Sequence, residues 1–445
     1  MTEQPTQKQH KWYQDSILFK SGVIAILIMV LLIPSAWIQG LITDREGYQQ
    51  DNINSVSDKW SGKQLINGPM LMIPFKKEIT EMINDKTVAH EVIQTLYLLP
   101  QNLQIKADIK TQHFQSGIYD AIVYNSKVGV QGSFDKPDLN QLGINDDAIM
   151  YDKARLVFGL SDLKGLKNNP SITIQGHQFI PEPAIDDKLP FDKGLQVNFQ
   201  LPKDQSLTFS YQLDLKGSNE LNFLHTGKTT DVEINSDWSN PGFNGRYLPD
   251  TRTVSPTGFN AKWHLLYYNR PFPQQWVNDK TVLDSNKQVK EAIFGVKLQL
   301  PIDQYRKILR TTKYSTLIIL LTFVSLFLTE LIKKQSIHVF NYILIGAAMV
   351  VYYTLLLSFS EQIGYNYAYL LASVSTIALI SLFTSSLLKN KGVAALFAVI
   401  LTVFYGFIFI IIQLEELSLL FGSIALFVIV ATLMYFSRKI NWNNH

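Results

Sequence analysis

The sequence predicts a membrane α + β protein. Six transmembrane helices, one N-terminal and five C-terminal, are expected, with a large, mainly β extracytoplasmic domain inserted after the first. Three observations predict this. Residues 314–437 are apolar almost throughout and break into five segments of membrane-crossing length. Residues 21–42 form a sixth such segment. Between them, apolar and polar side chains alternate with a period of two. Over 445 residues these contrasts cancel, leaving 17% charged residues, a net charge of +3 and a mean hydropathy close to zero. The basic residues gather into no single stripe, which gives no reason to expect a nucleic-acid partner. Cysteine is absent, which excludes disulfides, thiol catalysis and cysteine-ligated metal sites.

Taken in order, residues 1–20 read as a cytoplasmic tail and 21–43 as an anchor helix. In "LLIPSAWIQGLITDREGYQQ" (31–50) the apolar run is longer than a signal-peptide core, and Trp37, Ile38 and Gln39 stand where a cleavage site needs small residues. A retained anchor is therefore expected. Asp44, Arg45 and Glu46 mark its exit from the membrane. The helical spacing of Ile53, Val56 and Trp60 suggests that the helix continues outward.

Residues 44–313 form the expected periplasmic β-rich domain, with room for two subdomains divided near "IPEPAIDDKLP" (180–190). "QIKADIK" (104–110), "LTFSYQLDL" (207–215), "TDVEINSDW" (230–238), "FNAKWHLLYY" (259–268) and "FGVKLQL" (294–300) alternate as half-buried strands do. "TLYLLP" (95–100), "GIYDAIVYN" (117–125), "ARLVFGL" (154–160) and "LQVNFQL" (195–201) are further candidates. A sandwich or an open barrel-like sheet fits such a series. Pro301 closes the last strand, and Tyr305, Ile308, Leu309 and Thr312 then follow helical spacing, with Asp303 placed to suit the helix dipole.

Residues 314–437 form the five-helix bundle, with spans at 314–332, 339–359, 367–388, 393–412 and 417–437, and 438–445 is a cytoplasmic tail. Lys333, Lys334, Lys389, Lys391, Arg438 and Lys439 fall on one side, whereas the short loops around Glu361 and Glu415 carry no Lys or Arg. Both termini are therefore expected in the cytoplasm. The cluster Arg306, Lys307, Arg310 and Lys313 opposes that count, but long domains translocate largely regardless of charge. Arg306, Arg310 and Lys313 lie at a depth similar to that of Glu361, Glu415 and Glu416. Ion pairing between the two groups would dock the domain on the bundle; ordinary interfacial charges would give the same pattern. On the inner face Glu330 and His338 flank a short loop and form a candidate structural pair. Every acidic or basic residue of these spans lies near an end (Glu330, His338, Glu361, Glu415, Glu416), which disfavours proton- or sodium-driven transport.

No reaction is legible. Gly227-Lys228-Thr229 in "HTGKTTD" (225–231) lacks the first glycine of a phosphate-binding loop and sits among strands, so a turn is expected. "GLSDL" (159–163) has Leu163 where a nucleophile elbow needs glycine, and Ser161-Asp162 reads as a turn cap. The eight histidines show no metalloprotease spacing, although His113, His177, His225 and His264 could converge in space. Asp146-Asp147, Asp186-Asp187 and Glu415-Glu416 are neighbours that usually point apart. No catalytic residue, metal or cofactor is assigned.

"LLIPSAWIQGLITDREGYQQ", "VSDKWSGKQLINGPMLMIPF", "GIYDAIVYNSKVGVQGSF", "ARLVFGLSDLKGL", "SDWSNPGFNGRYLP", "FGVKLQLPIDQYRKILRTTKYSTLIILLTF" and "YGFIFIIIQLEELSLLFGSIALFVIVATLMYFSRK" together resemble the CreD family, over about residues 20 to 440. The resemblance implies an inner-membrane protein of Gram-negative bacteria with one N-terminal span, a periplasmic domain and a C-terminal bundle. It also implies a role in cell-envelope integrity, within the regulon of a two-component system that senses metabolic state. Colicin tolerance and envelope changes under β-lactam stress are associated with the family, and no catalytic residues come with it. The chain departs from the family at Ser239-Asn240-Pro241-Gly242, where a histidine is expected before the proline. The expected function is thus non-enzymatic: binding of a cell-wall component or another envelope protein, with membrane lipids as the surroundings. Two alternatives stand beside it. One is transport or flipping of an amphiphile through a groove lined by Tyr352, Ser375 and Tyr405; the other is a membrane-tethered periplasmic hydrolase.

Overall fold

The computed structural model describes residues 17–437 apart from 84–85, 118, 185–188, 190, 204, 284–285, 300–303, 334–336 and 415–417. The chain divides into two compact units. One joins the residues up to Gln49 with those from Ile302 onward, and the other is Gln50–Pro301. The basic segment 306–313 thus belongs with the membrane helices rather than with the strands. Pro301, Asp303, Glu415, Glu416 and Asp186-Asp187 lie outside the described residues.

Helix α1 (Ile17–Trp60) is a single 44-residue element, with Pro34 inside it. Its apolar first half continues through Asp44, Arg45 and Glu46 without a break. Four helices are each long and apolar enough to cross a membrane: α1, α6 (Val339–Ile363), α7 (Tyr365–Leu388) and α8 (Lys391–Gln413). The short α2 (Leu139–Leu142) and α3 (Asn286–Ala292) lie among the strands. A fifth crossing exists if α4 (Gln304–Lys313) and α5 (Ser315–Lys333) count as one span bent by 40°. In α9 (Ser418–Ser437) the apolar run Leu420–Ala431 is shorter. The helix ends follow from local chemistry. The Asn390 side chain accepts from the Gly392 and Val393 amides at 3.0 and 3.3 Å, capping α8. Gly346 marks where α6 meets α1: a Cβ there would stand 2.3 Å from a Leu31 methyl and 3.1 Å from the Phe323 ring.

The second unit is a sandwich of two mixed sheets. The first contains β1 (Gln64–Ile83), β2 (Lys86–Leu98), β5 (Ala154–Leu160), β8 (Glu182–Pro183), β9 (Gly194–Phe199), β11 (Glu220–Leu224), β13 (Pro241–Gly245), β16 (Gln275–Val277) and β17 (Ile293–Leu298). The second runs in the order β14 (Thr251–Ser255), β15 (Gly258–Leu266), β12 (Thr229–Ser236), β3 (Asn102–Ser116), β4 (Tyr119–Phe134), β10 (Leu207–Ser218), β6 (Ile172–Ile174), β7 (His177–Phe179). Inward residues of both, such as Ile73, Leu156, Val130 and Ile234, form one buried cluster.

The two outer faces differ. Beneath the first sheet a second core gathers Met70, Met72, Tyr97 and Trp276 with Phe272, Leu283 and Ala292, which cover that face. Strand β1 is consequently buried on both sides, Met70 and Met72 outward and Leu71 and Ile73 inward. This explains why "MLMIPF" (70–75) shows no alternation and does not read as a strand. The second sheet keeps its alternation: β10 runs Leu207 buried, Thr208 exposed, Phe209 buried, Ser210 exposed, and onward.

Candidate functional site

In the membrane unit the polar groups collect at two levels. Lys20 of α1 meets the Glu330 carboxylate of α5 and donates to the Ile337 carbonyl at 2.7 Å, while the Tyr342 hydroxyl donates to Glu330 at 3.0 Å. Glu330 is buried. Its partners are therefore Lys20 and Tyr342 rather than His338. The His338 ring is committed elsewhere, since its Nδ1 accepts from the Phe340 amide at 3.2 Å and caps α6.

At the other level Glu361 accepts from the Tyr305 hydroxyl at 2.9 Å and lies 3.9 Å from Arg45. Thr311 donates to the Lys307 carbonyl, so the Tyr365 hydroxyl donates to Thr311 at 2.8 Å. Lys307 reaches Gln413 at 3.4 Å, and Gln413 reaches Asn366 at 2.8 Å. Helix α4 is thus fastened to α6 and α7 by hydrogen bonds from its buried Tyr305 and Thr311, and to α8 by the half-buried Lys307. Among the described residues neither Arg310 nor Lys313 has a carboxylate within ion-pair distance. Asp44 is exposed, with Arg45 and Glu46 half-buried.

Between the two levels lies a knot of buried tyrosines. The Tyr352 ring centroid is 4.8 Å from those of both Tyr353 and Tyr405, and Tyr369 donates to the Tyr405 carbonyl at 2.7 Å. Ser375 is exposed on another face of α7, whereas Ser373 and Thr376 turn inward. Tyr352, Ser375 and Tyr405 therefore do not line one groove; the two rings fill the space between their helices.

In the β unit, the end of α1 is tied down by one carboxylate. Asp162 accepts from the Gly62 amide at 3.0 Å, the Ser61 hydroxyl at 3.1 Å and the Lys164 amide at 3.1 Å. Burial works against its ionisation, but these hydrogen bonds and the Lys164 charge outweigh it and hold the carboxyl below its ordinary range. Gln64 adds bonds to Ser61, the Asp162 carbonyl and the Lys216 carbonyl at 3.0, 3.0 and 3.1 Å. Gly165 leaves room for that amide, since a Cβ there would stand 2.3 Å from Gln64 Nε2. Trp60 packs with Val56 against Ala121 and Val123, and Lys216 Nζ lies 4.6 Å over its ring.

His225, His264 and His113 have separate partners. His225 is fully buried between the Thr230 hydroxyl, 3.1 Å from Nδ1, and the Leu266 carbonyl, 3.0 Å from Nε2. Burial, helped by the nearby Arg270, pushes its pKa down to about 4, against a weaker opposing pull from Leu266. His264 is exposed and paired with Asp231 at 2.6 Å, which raises it. His113 packs near Trp238. Among the described residues, no three His, Asp or Glu side chains gather as a metal-holding group. "HTGKTTD" is the entry to β12, and its Lys228 amide donates to the Pro100 carbonyl at 2.9 Å.

Beyond the part that Val56 and Trp60 cover, the outward face of the second sheet is exposed. Register lines its side chains into rows across the strands. One row reads Thr173, Ser210, Gln131, Gln104, Asp231 and His264. The next reads Gln212, Gly129, Lys106, Glu233, Lys262 and Thr251. The face carries two open concavities. One, of about 390 Å³, includes Asp108, Lys110 and Asp237. The other, of about 420 Å³, includes Asn102, Gln104, Gln131, Gln175 and Ser210 and has no charged residue in its lining. Strands β3, β4, β10, β12 and β15 are legible in the sequence, but their outward residues are not singled out there. The available signal was that "LTFSYQLDL" keeps Thr208, Ser210 and Gln212 uncharged at the outward positions, whereas "QIKADIK" places Lys106 and Asp108 there.

Comparison with known proteins supplies the lineage. Residues 16–443 match the family model described as inner membrane protein CreD. The inner membrane protein CreD of Escherichia coli (strain K12) is 28% identical over 420 residues, which cover 93% of this chain and 91% of that protein. With a family match over most of its length, a β-rich unit and apolar helices of membrane-crossing length, the chain belongs to the CreD family of inner membrane proteins.

Proposed function

We propose that this protein is a non-enzymatic component of the inner membrane that supports envelope integrity by holding an envelope component, a cell-wall polymer or a protein, on its β unit. The observation that carries the reading is the asymmetry of the sandwich. The outer face of the first sheet is covered by a second core, while that of the second is covered by the end of α1 only around Ala121 and Val123 and is otherwise exposed, polar and built from long paired strands. A face of that extent suits recognition of an extended partner.

The topology proposed with it has six crossings, with α4–α5 and α9 completing the four helices that qualify alone. Both termini lie in the cytoplasm and the β unit in the periplasm. The Lys-bearing loops after α5 and α7, against the Lys- and Arg-free turn at Glu361, support this orientation. Lys20 and Arg45 lie 25 residues apart on α1, roughly 37 Å at 1.5 Å per residue. That length suits a helix whose polar contacts sit at the two borders of a hydrocarbon core about 30 Å thick.

The test is photo-crosslinking in growing cells from Lys106, at the centre of the bare face. A defined envelope polymer or protein should be captured there and not from Lys76 on the β1–β2 hairpin. Equal, indiscriminate capture from both positions would defeat the reading.

A further inference from the structure

We propose that the uncharged part of the bare sheet face, where β3, β4 and β10 run side by side, binds a neutral carbohydrate chain. The inference rests on the β unit being the part that engages an envelope component, and it adds the chemical class of the ligand.

The adjoining row of the same face carries Lys106, Glu233 and Lys262. The concavity of about 420 Å³ carries no charge: its polar side chains are amides and hydroxyls alone. The concavity of similar size further along the same face does include charges, so neutrality is a property of this place and not of the sheet. A site for a phosphate, a carboxylate or a basic peptide would need fixed charge, and here none is supplied. Sugar hydroxyls need donors and acceptors in close alternation without charge.

The amides of the concavity are held in a fixed pairing. Gln131 Nε2 donates to Gln104 Oε1 at 2.7 Å across adjacent strands. That bond leaves the Gln131 oxygen as an acceptor and the Gln104 nitrogen as a donor, side by side and facing outward. Exchanging the oxygen and nitrogen in both amides reverses the assignment and leaves the same pair. One hydroxyl of a vicinal diol can donate to the oxygen while its neighbour accepts from the nitrogen. Gln175 is held in the same manner, donating to the Ser206 carbonyl at 2.6 Å and accepting from Thr208 at 3.2 Å. Asn102, Ser133 and Ser210 have no side-chain bond to any other described residue, so their hydrogen-bonding capacity remains available.

These positions lie near one end of continuous pairings, but within them, with Gln104 opposite Gln131 and Gln131 opposite Ser210. Binding therefore orders little that is not already ordered. The concavity is shallow and open, which suits a strand of polymer lying across the sheet better than a small molecule enclosed in a pocket. The Asp231–His264 pair closes the row on one side and would repel neither end of an uncharged chain.

The experiment uses the full chain in phosphatidylcholine nanodiscs, because sugar-headed detergents would compete for the site. Maltotetraose and the tetramer of N-acetylglucosamine serve as neutral probes and tetragalacturonate as the anionic one, read by saturation-transfer NMR and calorimetry. At least one neutral probe should bind. Gln131→Lys and Ser210→Lys should each weaken it about tenfold, equivalent to about 1.4 kcal/mol, with an unchanged melting temperature. Glu233→Gln in the adjoining row should leave it unaltered. Absence of binding by both neutral probes, binding indifferent to both lysine variants, or preference for tetragalacturonate would overturn the inference. If Lys106 crosslinks a defined non-carbohydrate component in cells while no neutral probe binds, only the carbohydrate assignment falls. If it captures nothing specific, the broader reading falls with it.

Discussion

Lys20 and Glu330, 310 residues apart in sequence, form an ion pair between the first helix and the fifth, with Tyr342 as the second donor to the carboxylate. Removing one partner of a fully buried pair costs roughly 3–5 kcal/mol. The Lys20 side chain here keeps 19% of its exposure, so a smaller loss is expected. Lys20→Met should lower the thermal midpoint of the purified protein, and adding Glu330→Gln should restore part of it. Indifference to Lys20→Met would show that the contact does not hold α1 in place.

Gly346 sets how closely α6 approaches α1. Because the nearest atom to a Cβ there is a movable Leu31 methyl, Gly346→Ala should be tolerated. Gly346→Leu should cost about 1–3 kcal/mol through overpacking and loosen α1, measured as faster protease cleavage near Gln49. Equal behaviour of the two variants would contradict this packing.

His225 gives the β unit a pH-dependent stability. Its folded pKa, near 4, lies below the ordinary value of 6.5 because the ring is buried. The unfolded chain therefore binds the proton first, and stability present above pH 6.5 is lost as the pH falls towards 4, at up to about 1.4 kcal/mol per unit. Melting temperature followed between pH 7 and pH 4.5 should fall, and the slope should flatten in His225→Gln. An unchanged slope in that variant would assign the effect to other groups.

Asp162 acts in a lower window. Its carboxyl is held below the ordinary value, so its contribution is complete above about pH 4 and lost as the pH falls through the depressed folded value. Asp162→Asn cannot accept the Gly62, Ser61 and Lys164 hydrogens equally well and should cost about 1–3 kcal/mol at neutral pH. Hydrogen exchange at Gly62 and Lys164 should rise in that variant. Unchanged protection would remove Asp162 as the tie at the end of α1.

What could be read in advance was local. Crossing length requires a long apolar run, and a half-exposed strand alternates, so α6 to α8 and strands such as β10 and β12 are legible in their own residues. Strand β1 was not, because two cores bury both its faces and erase the period. The partner of Glu330 was not, because His338 is near in sequence while Lys20 becomes near only when α1 packs on α5. The neutral patch on the second sheet was hidden for a related reason: its amides come from strands that register alone brings together.

The side of the membrane that the β unit faces is measurable because the chain has no cysteine. Thr253→Cys on β14 and Lys391→Cys at the start of α8, both exposed, each supply a single thiol. Treated in cells with a permeable outer membrane and an intact inner one, Thr253→Cys should react with a membrane-impermeant maleimide. Lys391→Cys should react only after the inner membrane is broken. Labelling of Lys391→Cys in intact spheroplasts with Thr253→Cys protected would contradict the account.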